Sequence, residues 1–438
     1  MSPASIFRFG EAVKVLHDLT RRWGASIVDT LDTLLVMGLS DEYNLCRPHV
    51  NQLNFDWVNG RDWANGYTSE APPTDDDETP SETWTVPRDR AVGLPVFETS
   101  IRYLGGMLGA YDLSGDQVIL DRAVDLAEVL SKAFNTESGI PGGRIDPGAM
   151  PPVYRLGQIS IAEAGSMSLE FMRLSQITGN RTYFDLAQRT MDFLDQKIIP
   201  RTAHHPLIPL WFFPDSGGDG VVAGALCFGG LADSYYEYLI KTYKLLGASP
   251  VAQQWKRVYE QSIDTAKKTI YTDVDIVPDM SLLAIGKLEG GRLIPEIEHL
   301  TCFAGAMLGL GAKLLNRDTD MVDAERITQS CYWLSAATAS GLQPEVVEFF
   351  ESDEDAWETV DSAGVMEHAE EPTVENTHED RNGVIRWNVD GQVVDVGGEK
   401  ARANGGYERR LKGRPPGSRK VVGRGINRPE TIESIFYM

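Results

Sequence analysis

Apolar residues recur at three- and four-residue intervals along most of this chain, the spacing that lines one face of an α-helix. The pattern predicts helices over residues 23–43, 97–113, 117–134, 161–178, 182–197, 226–246, 250–271, 299–315, 319–339 and, at the end, 429–437. Short turns divide them into pairs: LSGD at 113–116, ITGN at 177–180, LGAS at 246–249 and LNRD at 315–318. Gly and Asn tolerate the left-handed conformation that closes a helix. The first helix of several pairs is rich in small residues (LGGMLGAY, IAEAGSMSLEF, FGGLADSYYEY, CFAGAMLGLGA), and the second is more amphipathic and charged (LDRAVDLAEVL, YFDLAQRTMDFL, QQWKRVYEQSIDTA). Small residues permit close packing in an inner layer, and charged faces suit an outer layer against water. Repeated hairpins with inner and outer members suggest a toroid. An ordinary helical bundle or solenoid satisfies the same periodicity.

Two stretches break the pattern within what reads as one domain over 1–438. Residues 45–95 are polar, contain Trp and carry DDDE at 75–78, so they read as a long loop. Residues 351–427 pass from acidic (ESDEDAWE) to basic (RRLKGRPPGSRK) and read as irregular or β-hairpin structure. Insertions of this length are uncommon unless they have a role of their own.

Charge narrows the choice of partner. The formal net charge is −23, which argues against nucleic acid and anionic membrane, since both select clustered Lys and Arg, and suits a neutral polar ligand or a cation better. Four cysteines (Cys46, Cys227, Cys302, Cys331) form no C-x-x-C pair, which argues against structural zinc. The N-terminus has no sustained apolar stretch after a basic start, so no signal peptide is read. The strongest candidate span, Ile27 to Leu39, is interrupted by Asp29 and Asp32. One glycosylation sequon is present, Asn180-Arg181-Thr182.

No P-loop, H-E-x-x-H helix or G-x-S-x-G elbow occurs, and seven scattered His leave carboxylates as the abundant chemistry. Glu98 and Arg102 are four apart on one helix face. They are either a solvated surface pair or, because Phe97, Ile101, Leu104 and Leu108 nearly surround that helix, a partly buried pair that needs a reason. Asp233, amid Gly229, Gly230, Ala232 and tyrosines, is a buried acid or a helix cap. Glu430 and Glu433 share a face behind Pro429, where simple helix-start electrostatics would also place them. Glu163 and His299 stand at the starts of other small-residue helices. In a toroid such ends converge, and converging carboxylates serve acid/base hydrolysis or calcium binding.

Five ordered blocks, WGASIVDTLDTLLVMGL, VFETSIRYLGGMLGAYDLSGD, GLADSYYEYLIK, HLTCFAGAMLGLGAKLL and RPETIESIFYM, resemble the class I α-1,2-mannosidases of glycoside hydrolase family 47, with a fungal flavour. The resemblance implies an all-α (αα)7 barrel that hydrolyses terminal α-1,2-linked mannose of high-mannose N-glycans with inversion. It matches Glu98 to the family's acid, acting through a water, Asp233 to a second acid candidate and Glu430 to the base. Arg102, Glu163, His299 and Glu433 match pocket residues. Cys302 and Cys331 match the family's disulfide, and a disulfide implies an oxidising, secretory compartment, the ER or Golgi lumen or beyond. Leu231 stands where ER members resemble one another in carrying Arg, which implies broader, Golgi-like trimming. A monomer is expected.

The resemblance also implies Ca2+, but the family's calcium-binding Thr belongs to a TEAHP-type segment expected beyond Met438, so no metal ligand is assigned here. The chain is expected to be incomplete at both ends relative to the family, with apolar faces of its first and last helices uncovered. A non-catalytic mannose-glycan-binding relative in glycoprotein quality control, an inactive fragment and a scaffold for protein partners are the competing readings.

Overall fold

The computed structural model describes residues 23–55, 57–58, 61–62, 94–145, 157–214, 221–277, 280–338, 341–350, 385–389, 392–396, 415, 417–423 and 428–438. They belong to two compact units. One comprises Met1–Arg201 and Trp211–Val222, the other Thr202–Leu210 and Ala223–Met438.

In the first unit the expected helix over 23–43 is broken into Ala25–Asp29, Leu31–Val36 and Ser40–Asn51, the last running into the stretch read as a loop from residue 45. Residues 63–93 of that stretch lie outside the described residues. Val96–Thr99 leads without interruption through a π-helical turn, Ser100–Leu104, into Gly105–Ser114. Gly106 lets this helix lie directly on the first, because a β-carbon there would come within 2.6 Å of the Val28 carbonyl oxygen. Leu104 and Met107 are fully buried in the same contact. The helix stops at Gly115 (φ 68°), and Asp116 caps the next, Gln117–Ser131, by accepting from the Val118 N–H at 3.1 Å. The same grammar repeats at Gly179 and Asn180 between Ser168–Thr178 and Arg181–Phe193. Phe134, Phe171 and Tyr183 meet edge-on and tilted across these hairpins.

The second unit carries the hairpins Asp233–Leu246 with Ala252–Thr269 and Ala304–Leu315 with Asp318–Ala336. The expected helix over 226–246 begins only at Asp233, because Leu231 lies in the left-handed region (φ 75°) and turns the chain before it. Asp320 is fully buried and paired with Lys267 at 2.7 Å and with Arg317 Nε at 2.6 Å, which ties the two hairpins together. Strands occupy the chain between them. Tyr271–Val277 pairs with Met280–Ile285, and Lys287–Glu289 with Arg292–Ile294. The second turn is made by Gly290 and Gly291, both at positive φ, as a two-residue hairpin requires. Glu296–Glu298, Val346–Phe349 and Ser418–Val422 form a three-stranded antiparallel sheet with Ile297 and Val347 buried on one face. Part of the 351–427 stretch is thus ordered into sheet, and Ile385–Val389 with Gln392–Val396 makes the β-hairpin the composition allowed.

Cys302 and Cys331 are joined as a disulfide, their α-carbons 5.9 Å apart, pinning the 3-10 turn His299–Phe303 to the helix Asp318–Ala336. The last helix, Glu430–Tyr437, packs on that turn and on Ala304–Leu315. Among the described residues no helix is long and apolar enough to cross a membrane.

Candidate active site

In the first unit, Glu98 accepts from Arg102 Nε at 2.7 Å, and Arg102 reaches Asp29 at 3.4 Å. The π-helical turn beginning at Ser100 carries Arg102; such turns widen a helix and recur at functional sites. The two side chains are 50% and 48% exposed. The pair therefore stands between the buried and solvated alternatives, because the helix turns Val96, Leu104 and Met107 inward and leaves this face open. Burial pushes the Asp29 carboxyl up despite the opposing guanidinium. Glu163 is committed to a capping box. Its Oε2 accepts from the Ser160 N–H at 3.1 Å and the Ser160 hydroxyl at 2.9 Å, while its own N–H donates to Ser160 Oγ. Gly143 brings Glu163 toward the Glu98 helix. Its carbonyl accepts from Val96 N–H at 3.0 Å, and a β-carbon on it would lie 3.7 Å from Glu163 Oε1.

In the second unit, Asp233 opens its helix rather than capping it: the cap position is Ala232, and Asp233 lies in the first turn, at the positive end. Burial pushes its carboxyl up to about 6, outweighing the Ser234 hydrogen bond, with Glu237 and Glu298 adding repulsion. Glu298 was not singled out from the sequence. Its Oε1 accepts from the Gly230 N–H at 3.0 Å, holding the loop that precedes Asp233. Glu237 and Lys241, one and two turns beyond Asp233, were also missed, although their i, i+4 spacing could have shown them. They pair with each other, and Lys241 lies 3.6 Å from Glu433.

Glu430 and Glu433 belong to the first turn of the last helix. Glu430 Oε2 is buried without a hydrogen-bond partner, and burial pushes both carboxyls up. Arg428, immediately before, grips Glu345 with Nε at 2.8 and 2.9 Å from the two carboxylate oxygens and feels the fields of Glu430 and Glu298. His299 is buried, its backbone N–H donates to the Glu345 carbonyl at 2.8 Å, and its ring Nδ1 is buried without a partner; burial lowers its pKa. In the second unit Glu298 and Glu430 share the field of Arg428, Glu237 and Glu433 share Lys241, and Asp233 is repelled by Glu237 and Glu298. Such an arrangement suits proton transfer to and from a bound ligand.

Among the described residues no group of three or more His, Cys, Asp or Glu converges to hold a metal ion. Calcium takes six to eight oxygens. The described residues do not make up its site.

A family model described as glycosyl hydrolase family 47 matches residues 11–438. The chain belongs to glycosyl hydrolase family 47. It is 31% identical over 365 residues to the endoplasmic reticulum mannosyl-oligosaccharide 1,2-alpha-mannosidase of Saccharomyces cerevisiae, covering 76% of this chain and 61% of that protein. It is 32% identical over 333 residues to the mannosyl-oligosaccharide alpha-1,2-mannosidase IA of Spodoptera frugiperda, covering 74% and 43%. Among solved structures it resembles the alpha-1,2-mannosidase from Trichoderma reesei with a TM-score of 0.65 and 26% identity, covering 95% of this chain and 72% of that one. The all-α class and the (αα)7 barrel expected from the motif blocks agree with this family 47 assignment. The family 47 chain spans about half the length of the curated relatives it matches.

Proposed function

We propose that this family 47 chain removes terminal α-1,2-linked mannose from high-mannose N-glycans with inversion at C1. Its curated relatives are named as mannosyl-oligosaccharide 1,2-alpha-mannosidases. The observation that carries the reading is the pair of part-buried carboxyls in the second unit, Asp233 raised to about 6 and Glu430 raised with its Oε2 atom buried and free of any hydrogen bond. A carboxyl that handles protons near neutrality needs such a shift.

In the proposed reaction Glu430 takes a proton from water as the water oxygen bonds to C1 and the bond from C1 to the leaving oxygen breaks. That oxygen receives a proton from Glu98 through an intervening water, or from Asp233. Inverting pairs stand roughly 6.5–9.5 Å apart to admit the water. Arg102 orients Glu98, Lys241 steadies Glu433, and Glu163 and His299 serve the pocket. Leu231, 41% exposed two residues before Asp233, offers no charge to a sugar hydroxyl, which favours broad trimming. The disulfide fits a secretory lumen.

The test is mannose release from a high-mannose oligosaccharide by the full chain. Glu98→Gln and Glu430→Gln should each lower the rate by about 10²-fold or more, and Leu231→Arg should shorten the product ladder to one mannose. Glycan binding without release by the unaltered chain would establish the lectin reading instead. An unchanged ladder with Leu231→Arg would remove the specificity assignment alone.

A further inference from the structure

We propose that Asn180 is a site of N-linked glycosylation. Asn180-Arg181-Thr182 is the only Asn-x-Ser/Thr triplet in the 438 residues, and such triplets arise by chance, so the case rests on where the fold puts it. All three residues are exposed. Asn180 follows Gly179 (φ 72°) in the turn between Ser168–Thr178 and Arg181–Phe193, the kind of surface turn that tolerates a bulky adduct, and Arg181 and Thr182 open the second helix.

The local bonding leaves the reactive atom available. Asn180 is the helix N-cap, and its Oδ1 accepts from the Thr182 N–H at 3.0 Å. That bond uses the carbonyl oxygen, so substitution at Nδ2 preserves the cap. Arg181 is drawn away along its own helix to Asp185 at 3.2 Å and over the Phe184 ring. An independent observation fits the compartment where the modification happens: the Cys302–Cys331 disulfide is a bond characteristic of oxidising compartments.

The donor is a lipid-pyrophosphate-linked oligosaccharide. The bond between Asn180 Nδ2 and the anomeric carbon forms as the bond from that carbon to the pyrophosphate oxygen breaks. The lipid pyrophosphate leaves with the electron pair, and the amide nitrogen gives up one proton. Within the first unit the glycan would stand at the far end of the Ser168–Thr178 helix from Glu163, about 16 Å at 1.5 Å per residue. It would leave the Glu163 end clear.

The full chain, given a cleavable secretory leader and translated into microsomes, tests it on the protease-protected product alone. Treatment with an amidase that releases N-glycans should raise its mobility in a single step. Asn180→Asp, which retains the capping oxygen, and Thr182→Ala, which retains Asn180, should both abolish the step, and Thr182→Ser should keep it. A protected chain whose mobility the amidase does not change, or a step that persists in Asn180→Asp, overturns the assignment.

Discussion

Asp233 and Glu430 sit 197 residues apart in the chain, yet the same cause, burial, raises both. In the proposed reaction Glu430 works ionised, so kcat/KM should rise with pH as it loses its proton above the usual Glu range. Where Asp233 is the donor it works protonated, so the rate should fall as pH climbs past about 6. A pH–rate profile of Asp233→Asn checks this, since an alkaline limb that survives the substitution belongs to another group. Behind Glu430 stands a second layer of residue-scale design. Ser434, fully buried, donates to the Cys302 carbonyl at 2.5 Å and accepts from the Ala306 N–H at 2.8 Å. Thr431 donates to Gln343 at 2.7 Å. These hydroxyls, three apart on one face, fix the rotation of the helix that carries Glu430 and Glu433. Ser434→Ala should therefore lower kcat by about 10- to 100-fold with KM nearly unchanged. Thr431→Val should do likewise, and Thr431→Ser should restore it. A KM effect alone would reduce the hydroxyls to ordinary packing.

Helix hairpins were the most legible elements, because their terminators are written locally: Gly115 and Gly179 in left-handed closures, Asp116 and Asn180 as caps, Asn316 ending Ala304–Leu315 at φ 54°. The strands between 271 and 298 were not read. Their apolar alternation lasts only a few residues at a time, although Gly290-Gly291 was a usable hairpin signal. Position on a helix was legible where exposure was not. The spacing paired Glu98 with Arg102, but how open their face is depends on which neighbours Val96 and Leu104 find. Glu298 escaped notice for a similar reason, since its partner, the Gly230 N–H, is 68 residues away. The Asp320 cluster was equally hidden. Removing one partner of a buried ion pair leaves an uncompensated charge, so Asp320→Ala should cost about 3–5 kcal/mol by the same reasoning. Urea unfolding measures this, and a loss below about 1 kcal/mol would show that Lys267 and Arg317 find water instead.

On the scale of the whole molecule, the net charge of −23 is compatible with the neutral glycan proposed as substrate. On the last helix Ile432 is 71% and Phe436 85% exposed. The three-stranded sheet has a different implication. Phe349 pairs with Ser418, so the chain leaves the ladder after one strand and re-enters it directly alongside. Everything from residue 351 to 416 is therefore spliced between two points that the ladder already holds together. The cost of closing such an excursion grows only with the logarithm of its length, about 0.6 kcal/mol per doubling. The segment is free to lengthen, shorten or exchange its contents over evolutionary time without disturbing the register that holds Glu298.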